Sequence, residues 1–507
     1  MSKKAIVIGA GMGGMAVAAR LRNQGFDVDV YEQSSTAGGK LARYERDGFV
    51  FDLGPSLFTI PAVYRDLFLK TGGPLEEAID LQPLDPAFRY QFSDGSHIIM
   101  PGVGPARAAR AIEEGLGGDT ASQWNQLIQR ASDMWSLTRQ SVMHSPITSV
   151  QDMLPLFTKV SDITTIAPWL SLRALGKKYI RDARLLQLLD RYATYTGSDP
   201  RKAPAALATV PYVEQEFGAW HIGGGIAQLA NALYKRCCER GVTFHFDSDV
   251  QRIEVEGKKA VGITLKDDTS IVADIVVANA DAHHVYRELL PQSVSKQGRK
   301  RLRKATPSLS GFVLLLAVKG RTENLLHHNV LFPENYDAEF DAVFGVNGNP
   351  AKPVEDPTIY ICSPDDDRMR PHANSEAWFV LVNAPRHGDG SNSTFDWSDS
   401  KTSDEYAHHI LDVMAQRGFD VQDRLEWMEW RSPLTLQTAT RAPGGAIYGT
   451  SSNGATAAFL RAANRSEVEN LYLVGGSAHP GGGLPLVGMS AEIVANVIKS
   501  DQKKLRS

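Results

Sequence analysis

Gly9, Gly11 and Gly14 stand between an apolar run, Lys4 to Ile8, and a stretch of helical periodicity, and Glu32 closes the next apolar run, Val28 to Tyr31. That spacing serves one chemistry. Gly9 permits a tight turn, Gly11 lets the backbone approach a pyrophosphate, and Gly14 lets helix and strand pack closely. Amides at the helix N-terminus face the phosphate charge, and a carboxylate ending the second strand accepts hydrogen bonds from an adenosine ribose. Strand before, helix after and acid at the right distance together predict a dinucleotide site rather than a bare glycine turn.

Two further glycine blocks follow. Ala37 to Lys40 reads AGGK and Phe51 to Ser56 reads FDLGPS. A nicotinamide enzyme has no use for a second glycine pair, Gly38 and Gly39, at this point. Near the end, Leu471 to Ile498 reads as a strand, a glycine–proline loop and a helix that starts near Val487 and Gly488. The cluster Gly475, Gly476 and Gly481 to Gly483 carries much chain entropy, which is costly without a ligand nearby. A helix N-terminus aimed at a ring that becomes anionic on reduction would stabilise that charge.

The elements that must position these motifs form an α/β pattern. The N-terminal block is a βαβ unit, with the turn over Gly9 to Gly14, a helix over Met15 to Gln24 and a second strand ending at Glu32. Amphipathic helical stretches dominate from about Pro61 to Pro204. From Val210 to Leu290 the character is again α/β, with a helix over Ala227 to Arg240 after Gly223 to Gly225. A strand hairpin over Gly241 to Leu265 and a strand over Asp274 to Asn279 follow. Gly311 to Val318 is a further strand. The pattern predicts a Rossmann-type domain built from discontinuous segments, 1–75, 210–290 and 441–507, with a mixed α+β substrate domain interleaved as 76–209 and 291–440.

Composition narrows the class. At 507 residues two domains are expected, and 43% hydrophobic and 22% charged residues are globular values. A formal net charge of −4 gives no reason to expect nucleic acid as a partner. Three cysteines make no disulfide framework and fit a reducing cytosol. Neither a secretory signal nor an apolar run of 18 residues is present.

Other candidates read as structural. Adjacent histidines (His283-His284, His327-His328, His408-His409) point to different sides of a helix or strand, so no metal site is expected. Asp365 to Asp367 lack the alternate ligands of a calcium loop and read as a solvated turn. Cys237 and Cys238 read as half-buried helix residues. Met153 to Ile180 sets Leu, Phe, Ile and Trp169 beside Lys159, Arg173, Lys177 and Lys178, a pattern that suits either an interfacial helix pair or an ordinary amphipathic helix. No nucleophile elbow, metal cluster or catalytic triad appears, and no catalytic residue is assigned.

With these motifs in hand, the chain resembles the bacterial-type phytoene and carotenoid desaturases. The resemblance rests on the N-terminal block, FDLGPS, YVEQEFGAWHIGGGIAQLANAL, VANADAHHVYRELL, HHNVLF and the C-terminal block, and it covers nearly the whole chain. FTIP after GPS, and HPGGGLPL near the end, look most like the branch acting on already desaturated or hydroxylated carotenoids. The resemblance implies non-covalent FAD, with Gly38 and Gly39 passing close to the ribityl-pyrophosphate and Val250 among the cofactor contacts. One departure stands out: the family's usual Arg after the glycine pair is Lys40, which keeps the charge and loses the bidentate fork, so Arg43 is the alternative pyrophosphate partner.

It further implies a long apolar tunnel, hydride transfer from a substrate carbon to the flavin and loss of a proton from the adjacent carbon. Positioning matters more in such chemistry than strong acid–base residues. The expected partners are an apolar carotenoid, a membrane surface and an electron acceptor such as oxygen or a quinone. The expected location is cytoplasmic, on the inner face of the cell membrane. Other flavin oxidations on the same fold (amine oxidation, carotenoid oxygenation, isomerisation) and a non-enzymatic prenyl-binding escort are the alternatives.

Overall fold

The computed structural model describes residues 2–147, 159–346, 348–391, 393–454 and 457–504. The first apolar run forms β1 (Lys4–Ile8), and α1 (Met12–Asn23) and β2 (Asp27–Tyr31) follow. The helix begins three residues earlier than the sequence predicts, because Gly13 and Gly14 belong to its first turn rather than to the loop. Helix α2 (Ala62–Thr71) and helix α3 (Ala227–Glu239) pack beside α1.

β1 is the middle of a five-stranded parallel sheet. Its neighbours are β2, then β3 (Thr243–His245) on one side, and β4 (Ile275–Ala278), then β5 (Leu471–Leu473) on the other. The sheet thus takes strands from five separated stretches of chain. Its strands read as unbroken apolar runs because both faces are covered. One face holds α1, α2, α3 and the C-terminal helix α4 (Leu484–Lys504). The other holds Ile253, Ile263 and Leu289. The predicted hairpin is shorter than expected: Thr243–His245 leaves it to edge the parallel sheet, and the antiparallel pair is Val250–Glu256 with Lys259–Leu265.

The second sheet has seven strands, in the order Leu425–Arg431, Ser310–Lys319, Ser375–Ala384, Ile359–Cys362, His328–Leu331, Phe88–Gln91 and His97–Met100. Only His328–Leu331 with Phe88–Gln91 runs parallel. The helix Ser400–Gln416 covers one part of it, and helices over Thr120–Thr138 and Ala183–Arg191 pack round Phe88 and Tyr90.

FDLGPS gains a structural reason here. The buried carboxylate of Asp52 accepts from the amides of Ile226 and Ala227, both at 2.8 Å, and so caps α3 directly after the glycine run. Among the described residues no helix is long and apolar enough to cross a membrane.

Candidate functional site: a dinucleotide cradle beside a buried polar cluster

At the end of β1 the chain turns at Gly9, with φ +94°, and the Gly9 amide donates to the Tyr31 carbonyl at 2.7 Å. A Cβ on Gly14 would collide with the Gly9 carbonyl. The ladder of α1 closes only from Met15, whose amide donates to Gly11 O at 3.0 Å. The amides of Gly13 and Gly14 therefore have no acceptor among the described residues, which is the arrangement an anion requires. Glu32 is buried. Its Oε2 accepts from Ala10 N at 2.7 Å, and its Oε1 accepts from Ser34 N and Oγ at 3.0 and 2.8 Å. Three of the carboxylate's four acceptor positions are filled, and one remains for a ribose hydroxyl.

Asn279, just past β4, is a site residue that sequence reasoning misses. A Cβ on Gly11 would lie 2.7 Å from its Nδ2, and a Cβ on Gly13 or Gly475 would lie 2.6 Å from its Oδ1. Three glycines from two ends of the chain are thus shaped round one carboxamide. No feature of VANADAHH marks its asparagine, because those contacts are purely tertiary.

The second glycine pair lies against the first loop: Gly38 N donates to Ala10 O at 2.9 Å, and a Cβ on Gly39 would stand 3.2 Å from Gly11 Cα. Lys40 turns away, its Nζ donating to Ile447 O at 2.7 Å, and Arg43 pairs with Glu45 at 2.5 Å. Both candidate pyrophosphate cations are thus engaged within the protein. Val250 opens the antiparallel hairpin and packs with Ile6, Ile8 and Tyr31.

The C-terminal loop differs from expectation in one respect. α4 begins at Leu484, and Val487 N already donates to Gly483 O at 2.9 Å. Among the described residues the first-turn amides of Leu484 and Leu486 meet no acceptor, and Pro485 has none to offer. Gly488 sits a turn further in, where a Cβ would meet Val63 Cγ1 at 2.6 Å, so its role is close packing of α4 on α2. Arg461, buried, ties the loop together by donating to the carbonyls of Tyr448 (3.0 Å), Gly476 (2.8 Å) and Thr450 (2.6 Å). Burial pushes its pKa down to about 10. The Tyr448 ring occupies the space a side chain on Gly482 would need.

A buried polar cluster lies on the second sheet's side. The Arg191 guanidinium stands over the rings of Tyr195 (5.2 Å), Tyr90 (5.7 Å), Tyr360 (5.7 Å) and Phe88 (5.9 Å). Its Nη1 donates to Tyr195 OH at 2.9 Å, and Tyr195 and Tyr192 donate to the two oxygens of Glu214 at 3.0 and 2.7 Å. Nε and Nη2 of Arg191 have no hydrogen-bond partner among the described residues. Burial raises the pKa of Glu214 against the pull of Tyr192 and Arg191.

The remaining candidates separate. His284 lies beside Arg441, His408 beside Asp404 and His409 beside Glu355, each pair's members facing different partners. His327 and His328 are the exception. His327 precedes the strand that starts at His328, so strand alternation does not part them, and their ring centroids lie 4.5 Å apart. Asp365 and Asp367 are exposed, but Asp366 is buried and accepts from Gly224 N at 2.7 Å and lies 2.9 Å from His221 Nε2. Cys237 is buried and Cys238 exposed, rather than both half-buried. Of Met153 to Ile180, residues 153–158 lie outside the described residues. Arg173 there is paired with Asp190 and Asp337 and is not a free surface cation.

Free amides on α1, an acid with one open acceptor position and a second helix N-terminus at Leu484 fit a bound flavin dinucleotide. The chain belongs to the flavin containing amine oxidoreductase family, whose model matches residues 12–499. It is 33% identical over 514 residues to a 1-hydroxycarotenoid 3,4-desaturase of Flavobacterium sp. (strain P99-3), covering 98% of this chain and 99% of the relative. It is 30% identical over 506 residues to a 4,4'-diapolycopene oxygenase of Methylomonas sp., covering 99% of each. The fold matches a putrescine oxidase variant with a TM-score of 0.65 at 13% identity, covering 99% of both chains. The protein is a flavin-dependent oxidoreductase, and FAD is its cofactor.

Proposed function

We propose that this enzyme desaturates a carotenoid, removing hydrogen across a carbon–carbon single bond and lengthening the conjugated chain. The observation that carries the reading is the end-to-end similarity to a relative named as a carotenoid desaturase. Bound FAD supplies the acceptor for a hydride. The first-turn amides of α1 and the carboxylate of Glu32 would hold the dinucleotide, and the amides at the Leu484 end of α4 would stabilise negative charge on the flavin ring.

Arg191 supports a finer point. A pure hydrocarbon offers no acceptor to the Nε and Nη2 of Arg191, which meet none among the described residues. A substrate with an oxygen function near one end would meet them. Oxygenation is the second reading, favoured by the name of the Methylomonas relative.

A carotenoid partitions into lipid, so the enzyme works at a membrane surface. Val160 and Trp169 are 77% and 61% exposed, and Lys177 and Lys178 are exposed nearby in sequence, a combination suited to an anionic interface on the cytoplasmic side. Oxygen or a quinone in that membrane is the proposed final electron acceptor.

The test is turnover by the FAD-loaded protein on carotenoids in liposomes, with and without a terminal hydroxyl, read by mass spectrometry. Loss of two hydrogens per double bond supports desaturation, and gain of oxygen supports the second reading. Turnover of amines with no change in any carotenoid would overturn both.

A further inference from the structure

We propose that His327, His328 and Cys362 bind a thiophilic transition-metal cation, Zn2+ being the ion this ligand set fits. His328 and Cys362 are directly opposed across two antiparallel strands, so both side chains leave the sheet on the same face. His327 joins them because it precedes the strand. One ligand atom from each of the three lies within 4.8 Å of the others. Around a tetrahedral Zn2+, with bonds of about 2.0–2.3 Å, such atoms stand about 3.3–3.8 Å apart. The cluster needs to contract by about 1 Å to close on the ion.

A second observation points independently to a ligand. The His328 ring is fully buried, and its Nε2 has no partner. Its Nδ1 lies 2.8 Å from Tyr360 OH, which lies 2.8 Å from Ser56 Oγ. With Nδ1–H donating to Tyr360 and Tyr360 donating to Ser56, the buried Nε2 lone pair is left without a partner. A ligating histidine whose other nitrogen donates to an outer partner has this form. An unmet ring nitrogen in an apolar interior is otherwise a net cost.

Access runs past His327. It lines a cavity of about 200 Å3 with Gln82, His221, Ser363 and Asp365. The rim reaches solvent at Asp365, 72% exposed. Arg321 also lines this cavity, but its charge is met by Asp365 at 2.8 Å and Glu376 at 3.6 Å. His221 stays outside the ligand set because its Nε2 is held by Asp366. Two imidazoles and one thiolate select Zn2+ over Mg2+ or Ca2+, which prefer oxygen. The fourth position is open to water. Binding converts the Cys362 thiol to a thiolate and releases its proton to solvent.

The FAD-loaded, full-length protein is dialysed against ZnCl2 with excess MgCl2, and metal is counted by plasma mass spectrometry. One Zn2+ per chain is expected. Cys362→Ser and His328→Ala should each weaken binding at least 100-fold, and Tyr360→Phe about tenfold. Cys238→Ser should bind as wild type does. With Co2+ as probe, a thiolate-to-metal absorption in the difference spectrum should vanish in Cys362→Ser. Should His328→Ala not fold, His327→Ala at the cavity rim decides. Unchanged Zn2+ affinity in Cys362→Ser, or less than one ion per wild-type chain at millimolar Zn2+, overturns the assignment.

Discussion

Arg441 closes a two-pronged bond on Asp249, Nη1 to Oδ1 at 2.8 Å and Nη2 to Oδ2 at 2.6 Å. The pair joins the residue before Val250 to the segment leading back to the parallel sheet. Arg441's hydrogen bond, with its charge, holds the Asp249 carboxyl below its ordinary range against burial. A depressed carboxylate contributes stability above its unfolded pKa and loses that contribution as pH falls through the folded value. Asp249→Asn should therefore cost about 0.5–1 kcal/mol at neutral pH and flatten the loss of stability below about pH 4. Arg441→Lys should cost nearly as much, since a lysine cannot offer the fork. Urea unfolding across pH 2–7 checks both, and a wild-type acid branch in Asp249→Asn would count against the pair.

The carboxamide of Asn279 sets the second prediction. Gly11→Ala places its Cβ 2.7 Å from Nδ2, so the variant should lose FAD even though alanine fits the local backbone. Adding Asn279→Ala opens that space and should restore stability without full FAD affinity, because the methyl still stands in the phosphate approach. Thermal melting and flavin titration of the single and double variants separate the two effects. Additive losses would show that Asn279 is not what excludes a side chain there.

Gly488→Ala should change stability and leave redox behaviour alone. The added methyl meets Val63 Cγ1 at 2.6 Å. Valine has little rotamer freedom, so overpacking of about 1–3 kcal/mol outweighs the gain of about 1 kcal/mol in helix propensity. Val63→Ala alongside should recover the loss. A shifted flavin midpoint potential in Gly488→Ala with FAD retained would place that residue nearer the ring than the helix start at Leu484 allows.

For the membrane surface, Lys177→Glu with Lys178→Glu should weaken sedimentation with anionic vesicles by about 1 kcal/mol for each lysine lost, and further through repulsion. Trp169→Ser should weaken it on neutral vesicles as well. Equal sedimentation of all forms would remove this face from the proposal.

How far the sequence could be read depended on whether a rule was local. Gly9, Gly11, Gly14 and Glu32 were legible because one strand–turn–helix unit sets them. The start of α1 was not, because glycines at 13 and 14 read as loop residues although they form its first turn. The start of α4 was hidden by Pro485, which reads as a breaker yet is well tolerated in a first helical turn. Strand alternation misled at His327 and His328, since the strand begins between them. Arg191 and Arg461 gave no signal. Their partners lie on separate elements, and only the assembled fold makes either one a buried cation.

The order of the parallel sheet also has a consequence for synthesis on the ribosome. β1 is made well before its neighbour β4 is complete at residue 278, and β5 and α4 follow only after residue 470. Until then Asn279 has no Gly475 to meet, and one face of α1 has no α4 to cover it. The nascent chain keeps that apolar surface uncovered until those elements emerge, the kind of exposure that favours aggregation. The packing of Gly475 against Asn279 is accordingly among the last contacts of the site to form.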